Sequence, residues 1–148
     1  MQILAGVVVI HKGKTLLLKN ISAGIGPGKW GPPGGHGEAD ESIEETAVRE
    51  TKEETNLDVT LDGIVQTGIF KNEGEIKYIG IIYVANVDDI SGLKIQESEA
   101  TEYVWATKEE IESGKYEFRT NFLKEVIISA FTKKPSPNEI FKTYEVEA

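Results

Sequence analysis

Short apolar runs alternate with polar turns at the start of the chain, and this pattern predicts β-strands. Ala5–Ile10 and Thr15–Leu18 are apolar, and the residues between them, 11–14, are polar and include Gly13. Two such runs joined by a short turn that contains glycine are typical of a β-hairpin. The hairpin is followed by residues 21–35, where glycine and proline are so frequent that we expect a functional loop.

Three further strands are predicted in the middle of the chain. Val59–Phe70 and Ile76–Val87 are rich in β-branched and aromatic residues, and the polar residues 71–75 between them form the expected turn. Glu102–Ala106 has the composition of another short strand.

A helix is predicted to begin after Ser42. Ser42 and Glu45 have the spacing of a capping box, and Asn56 is suited to a left-handed C-terminal cap. Apolar or small residues recur at helical spacing on what we expect to be the inward face, with Val48 beside them: Ile43, Ala47 and Thr51.

The last part of the chain predicts two more helical segments and a tail. Residues Lys108–Glu112 suggest one helical turn that ends at Gly114, and the apolar stripe from Phe118 to Phe131 predicts an amphipathic helix packed on the core. The tail, 133–148, contains two prolines, and an extra strand or partial disorder both remain open. The order of elements predicts an α/β fold, with a mixed sheet between helical layers.

Length and composition favour a single soluble domain over residues 1–148. The chain has 148 residues, 39% of them hydrophobic and 28% charged, and it contains no cysteine. The absence of cysteine excludes disulfides and thiolate metal sites and is compatible with the cytoplasm. The first residues resemble a buried strand, so we expect no signal peptide, and no apolar run is long enough for a membrane span.

The formal net charge of −9 argues against a nucleic acid or an anionic membrane as partner, because either would need a basic surface. A small phosphate substrate remains compatible with this charge, since a bound divalent cation reverses its sign locally.

Three glutamates on the predicted helix are the strongest chemical signal. Glu50, Glu53 and Glu54 are three and four residues apart and therefore share one face. Like charges this close repel unless a cation lies among them. Carboxylate oxygens suit hard cations such as Mg²⁺, Ca²⁺ or Mn²⁺, so the trio predicts a metal site. Arg49 beside them can hold one glutamate by a bidentate bond and so fix its geometry.

The spacing around these glutamates resembles the motif of the Nudix hydrolase family, in its MutT-like form. Gly35 is followed after five residues by Glu41 and after seven more by residues 49–57, which read Arg-Glu-Thr-Lys-Glu-Glu-Thr-Asn-Leu. Two positions depart from the family pattern: Thr51 replaces an aliphatic residue and Asn56 replaces glycine. Neither change removes a carboxylate. The resemblance implies the Nudix α/β/α sandwich with a mixed β-sheet.

The resemblance also implies an activity and a set of site residues. It implies Mg²⁺-dependent hydrolysis, with Mn²⁺ as a substitute, of a nucleoside diphosphate linked to another group. The metal ligands would be Glu50, Glu53, Glu54 and the carbonyl of Gly34, with Glu53 or Glu54 as base. Close approach of the backbone to metal and phosphate is expected at Gly34 and Gly35.

Other residues are candidates for the same site. Glu99 or Glu102 would supply a further ligand or base, while substrate contacts are expected from Lys19, Trp30 and His36. For Trp30, a place in the core is an equal alternative. The acidic residues Glu41, Glu44 and Glu45 are expected to form a solvated face, with Glu41 also supporting the loop and the helix dipole.

The expected substrate is a nucleoside triphosphate, normal or oxidised, cleaved to the monophosphate and pyrophosphate. The alternatives are ADP-ribose, a dinucleoside polyphosphate or a sugar nucleotide. Some relatives that cleave ADP-ribose carry a proline about sixteen residues past the motif, where this chain has none. A domain that binds a nucleotide or a protein without catalysis is a third hypothesis. Whether the protein forms a homodimer is left open.

Overall fold

The fold is built around its first strand, which is buried on both faces. The computed structural model describes residues 2–21 and 28–147. Strand β1 (Gln2–His11) runs parallel to β6 (Glu75–Asn86) and turns back into β2 (Lys14–Asn20). A strand covered on both sides must be apolar at successive positions, which explains the continuous run that begins at Ala5.

The two strands of the first hairpin pair only beside their turn, at Ile10–Thr15 and His11–Lys14. Residues 4–6 of β1 pair with the short strand β4 (Gly34–His36), whereas β2 pairs with β3 (Trp30–Gly31) and β7 (Ala100–Ala106). Strand β5 (Gly63–Asn72) lies antiparallel to β6. The result is a mixed sheet with β3, β2, β1, β6 and β5 in spatial order along its main path.

Helices cover the two faces of this sheet. Helix α1 (Ile43–Thr55) contributes Ile43 and Ala47 to one apolar core. Helices α2 (Lys108–Glu112) and α3 (Asn121–Thr132) bury Ile111 and residues of α3 in a second core on the other face. The predicted α/β/α sandwich with a mixed β-sheet is confirmed. None of the helices in the described parts of the chain is both long enough and apolar enough to cross a membrane.

Several sequence expectations need correction at their edges. The loop predicted over 21–35 contains the short strands β3 and β4, while residues 22–27 lie outside the described part. Residues 59–62 precede β5 and are not strand. Phe118 lies before α3 and forms a parallel bridge with Trp30, because its backbone pairs with β3 instead of continuing the helix.

The tail, which the sequence left undecided, is held against the sheet. Ser136 forms an antiparallel bridge with Ile64, and a 3₁₀ turn follows at Asn138–Ile140. Phe141 then packs against the core beneath α1, and the hydroxyl of Thr143 accepts the N–H of Ile43 at 3.1 Å. The described tail is therefore ordered by contacts with the sheet and with the first turn of α1.

Candidate active site

A cavity of about 590 Å³ opens between α1, β4 and the start of α3. One of its walls is acidic and carries Glu50, Glu53, Glu54 and Glu99. Another wall is aromatic and is formed by Phe70, Tyr78 and Phe122. The cavity thus combines carboxylates with flat apolar side chains, which are the two surfaces that a nucleotide would require.

Helix α1 presents its glutamates to the cavity because its ends and its inner face are fixed. Ser42 and the side chain of Glu45 form the predicted capping box, and Asn56 takes the predicted left-handed conformation, with φ 62°. Thr51, which replaces the family's aliphatic residue, is fully buried, and its hydroxyl donates to the carbonyl of Ala47 at 2.8 Å. A hydroxyl satisfied within the helix removes the cost of placing threonine there.

Glu54 occupies the inner end of the acidic wall. Its Oε1 accepts the backbone N–H of Gly34 at 3.0 Å. Burial, reinforced by the negative charges of Glu50 and Glu99, raises the pKa of Glu54 to about 8. Burial also raises the pKa of Glu50 above its usual value, against the opposing effect of Arg49.

Arg49 joins the loop before α1 to the acidic wall. Its Nε and Nη2 donate to the two carboxylate oxygens of Glu41 at 2.9 and 2.8 Å, which is a bidentate pair. Its Nη1 donates to Glu50 at 3.0 Å and to Glu53 at 3.3 Å, and its Nη2 also donates to the carbonyl of His36 at 3.0 Å. One guanidinium therefore orients two of the three glutamates.

The expectation that Glu41 forms part of a solvated face is wrong. Its side chain is only 10% exposed and also accepts the hydroxyl of Thr46 at 2.7 Å and the N–H of Glu38 at 3.0 Å. The hydrogen bonds from Arg49 are the main reason that the pKa of Glu41 falls to about 2. Glu41 does support the loop, as expected, but as a partly buried partner of Arg49.

Gly34 and Gly35 leave room that a side chain would fill. A Cβ at Gly35 would collide with the carboxylate of Glu50, and a Cβ at Gly34 would collide with the backbone of Ala5 on β1. These glycines allow β4 to pass directly beneath the acidic wall. The close approach of the backbone to metal and phosphate that the sequence predicts there stays a prediction.

The acidic wall has the chemistry of a hard-cation site, although it is not already arranged as one. Its donors are carboxylate oxygens, which suit divalent cations such as Mg²⁺. Within residues 2–21 and 28–147, no three Asp, Glu or His side chains form a ready-made metal site. Two of the candidate ligands are instead engaged by Arg49, and Glu54 is engaged by Gly34. Burial and the neighbouring charges of Glu50 and Glu99 disfavour the ionised form of Glu54, and a bound cation would offset both effects, so the donor set fits a cation.

The remaining predicted residues divide into two groups. His36 and Glu99 line the cavity. The cavity lining does not include Lys19, Trp30 or Glu102. The Nζ of Lys19 instead lies 3.8 Å from Oε1 of Glu102 and 5.8 Å from the ring centroid of Trp30. Trp30 is only 8% exposed and belongs to a core. For Trp30, the structure therefore favours the core alternative.

Arg119 lines the cavity and was not predicted from the sequence. It reaches the site because the segment before α3 pairs with β3: Trp30 donates its N–H to Glu117 at 2.8 Å, and Arg119 donates its N–H to Trp30 at 3.1 Å. This contact joins residues far apart in the chain. The only local signal is an arginine directly before Thr120, the N-cap of α3.

Comparison with known proteins agrees with this geometry. The family model for the NUDIX domain matches residues 2–126. The chain belongs to the Nudix family. It is a Nudix hydrolase, of a family that generally uses divalent metal ions and acts on small nucleotide substrates.

Solved Nudix structures share the fold over most of their length. A MutT protein from Methanosarcina mazei Go1 is 25% identical, with a TM-score of 0.72, over 88% of this chain and 91% of that one. A Nudix hydrolase from Nitrosomonas europaea is 22% identical, with a TM-score of 0.79, over 97% of both chains. An Ap4A hydrolase from C. elegans is 23% identical, with a TM-score of 0.70, over 88% of this chain and 95% of that one.

Proposed function

We propose that this Nudix hydrolase is a Mg²⁺-dependent pyrophosphohydrolase that cleaves a nucleoside triphosphate to the monophosphate and pyrophosphate. The observation that carries the proposal is the cavity itself, which has carboxylates on one wall and aromatic rings on another. A nucleotide placed across it would have its phosphates beside the carboxylates and its base beside the rings.

Glu50, Glu53, Glu54 and the carbonyl of Gly34 would hold the cation, and Mn²⁺ would substitute for Mg²⁺. Bound there, the cation would neutralise phosphate charge and lower the pKa of the attacking water. Glu99, on the same wall, would be a further ligand or base.

The residues of the chain supply orientation and a proton acceptor. Arg49 holds Glu50 and Glu53 in place through the hydrogen bonds described above. A proton released by the attacking water would pass to a carboxylate oxygen of Glu53 or Glu54. Glu53 is more accessible, with a side chain 51% exposed, whereas Glu54 is held by Gly34.

Product identification tests this proposal. A pool of nucleoside triphosphates, ADP-ribose, NAD, dinucleoside polyphosphates and sugar nucleotides would be incubated with the protein, with and without Mg²⁺, and analysed by chromatography. We expect a monophosphate and pyrophosphate from a triphosphate, only when the cation is present. If only a diphosphate conjugate were consumed, the substrate would be that conjugate and not a nucleoside triphosphate. If no compound in the pool were turned over, the proposed activity would be refuted.

A further inference from the structure

Arg119 is a cation that the described protein leaves without a counter-charge in contact. No carboxylate in residues 2–21 or 28–147 forms an ion pair with it. Its one side-chain hydrogen bond there is long, from Nη2 to the carbonyl of Pro32 at 3.3 Å, and its buried Nε has no partner. Burial lowers the pKa of its guanidinium, against the more distant attraction of Glu54. A guanidinium carries five N–H donors, so most of its binding capacity is unused.

The protein makes specific room for this side chain. A Cβ at Gly31 would collide with the guanidinium of Arg119, so a glycine is needed there. The backbone N–H of Arg119 is tied to Trp30, which fixes the start of the side chain. Leaving N–H donors without acceptors in a partly buried position costs stability, and a site built around that cost is understood most simply if a ligand accepts hydrogen bonds from them.

The surroundings of Arg119 indicate what that ligand presents. The rings of Phe70 and Tyr78, which line the same cavity, are stacked at 4.5 Å with an interplanar angle of 21°, and Phe122 meets Phe70 edge-on at 4.7 Å. A Cβ at Gly80 would lie 2.9 Å from a ring carbon of Phe70, so the glycine at this position leaves room for the Phe70 ring. Flat apolar walls of this kind accept the face of a nucleobase.

We propose that Arg119 reads the nucleobase of the substrate and selects guanine. This inference rests on the proposed function, because it assigns the base end of the same cavity. Arginine has donors and no acceptor, so it favours a base edge that carries two neighbouring acceptors. Guanine offers O6 and N7 on one edge, whereas adenine offers N7 beside an amino donor. Oxidation of guanine at C8 converts N7 into an N–H donor, so guanine is favoured over its oxidised form as well.

The test compares Arg119→Gln and Arg119→Met with wild type, and uses Lys133→Gln as the control. Lys133 is exposed and follows the last residue of α3, so the control removes the same charge at the opposite end of that helix. The first readout is kcat/KM for GTP, ATP and 8-oxo-GTP with Mg²⁺. The second is calorimetric binding of GMP and AMP without metal, which does not depend on catalysis.

We expect wild type to prefer GTP over ATP, and GMP over AMP, by about tenfold or more, which is the range of one good arginine–guanine pair. Both Arg119 variants should lose that preference, and the control should keep it. Arg119→Met should unfold at the same temperature as wild type or a higher one, because it removes a partly buried charge that no carboxylate of the described residues contacts directly.

Three results would overturn the inference. If the variants lost kcat/KM equally for every nucleotide, Arg119 would contact phosphate and not the base. If the variants kept the preference for guanine, Arg119 would have no role in selection. If Arg119→Met unfolded at a lower temperature than wild type, the charge of Arg119 would already be compensated within the protein. Failure of the proposed function is distinguishable, because absent turnover by wild type would leave the GMP and AMP comparison intact.

Discussion

The bidentate pair of Glu41 and Arg49 is predicted to be a main stabilising contact of the site. Its removal should lower the free energy of unfolding by a measurable amount. Glu41→Ala removes both acceptors of the hydrogen bonds at 2.9 and 2.8 Å. It leaves the guanidinium of Arg49, whose side chain is 25% exposed, without its strongest partner. The loop before α1 would then be tied to the helix only through weaker contacts.

The size of the loss follows from these bonds. A hydrogen bond to a charged group contributes about 1.5–3 kcal/mol, and since Arg49 is partly exposed we use the lower end for each of the two. Glu41→Ala should therefore reduce the free energy of unfolding by about 3 kcal/mol. In a domain of this size, each kcal/mol corresponds to about 2–4 °C in the unfolding midpoint. Glu41→Gln, which keeps one acceptor oxygen, should lose about 1–2 kcal/mol.

A double-mutant cycle isolates the pair. Thermal and urea unfolding would be measured for wild type, Glu41→Ala, Arg49→Ala and the double variant, and we expect a coupling free energy of about 1.5–3 kcal/mol. Glu44→Ala, on the first turn of the same helix, is the matched control and should cost less than about 1 kcal/mol. A coupling below about 0.5 kcal/mol would refute the reasoning, because it would mean that the two side chains act independently.

The same pair predicts a pH dependence. The pKa of Glu41 is about 2 in the folded protein, below its ordinary value of 4.5, so the folded state favours the ionised form. Its contribution is therefore complete above the unfolded pKa and is lost as the pH falls from about 4.5 toward 2. The stability difference between wild type and Glu41→Gln should be constant near neutral pH and shrink in that acidic range. A difference that stays the same down to pH 2.5 would contradict the assigned cause.

Two further variants test the packing that positions the acidic wall. Gly35→Ala should reduce activity at least about tenfold and weaken Mg²⁺ binding, because the new Cβ occupies the space of the Glu50 carboxylate. Unchanged kinetics and metal affinity would show that the Glu50 side chain can move aside without loss of function. Thr143→Val should lower the free energy of unfolding by about 1 kcal/mol, since the N–H of Ile43 loses its acceptor. Thr143→Ser keeps the hydroxyl and should be as stable as wild type. Equal stability of the valine and serine variants would show that the tail does not cap α1.

The features of the site that depend on local spacing could be predicted from the sequence. The capping box at Ser42 and the left-handed cap at Asn56 follow from residue type and spacing, and the shared face of the glutamates follows from helical periodicity. For Gly34 and Gly35, the sequence predicts close approach to metal and phosphate, which stays a prediction, whereas their contacts with Ala5 and Glu50 are visible only in the structure.

The features that depend on tertiary contacts could not be predicted in this way. Arg119 enters the cavity because its segment pairs with β3, and no periodicity encodes that pairing. Glu41 was expected to be solvated since its neighbours are acidic and polar, but Arg49 folds back to cover it. Lys19 and Glu102 come from neighbouring strands that pair with each other, so they meet one another without lining the cavity.

The central claim is that the acidic wall of this cavity hydrolyses a nucleoside triphosphate with a divalent cation. The most direct test measures monophosphate and pyrophosphate release with Mg²⁺ for wild type, Glu53→Gln, Glu54→Gln and the control Glu44→Gln, whose substitution lies between two and three turns away on the same helix. We predict equal amounts of the two products from wild type and from the control, and rates reduced by at least about a hundredfold in the other two variants. Full activity in both Glu53→Gln and Glu54→Gln would contradict the account.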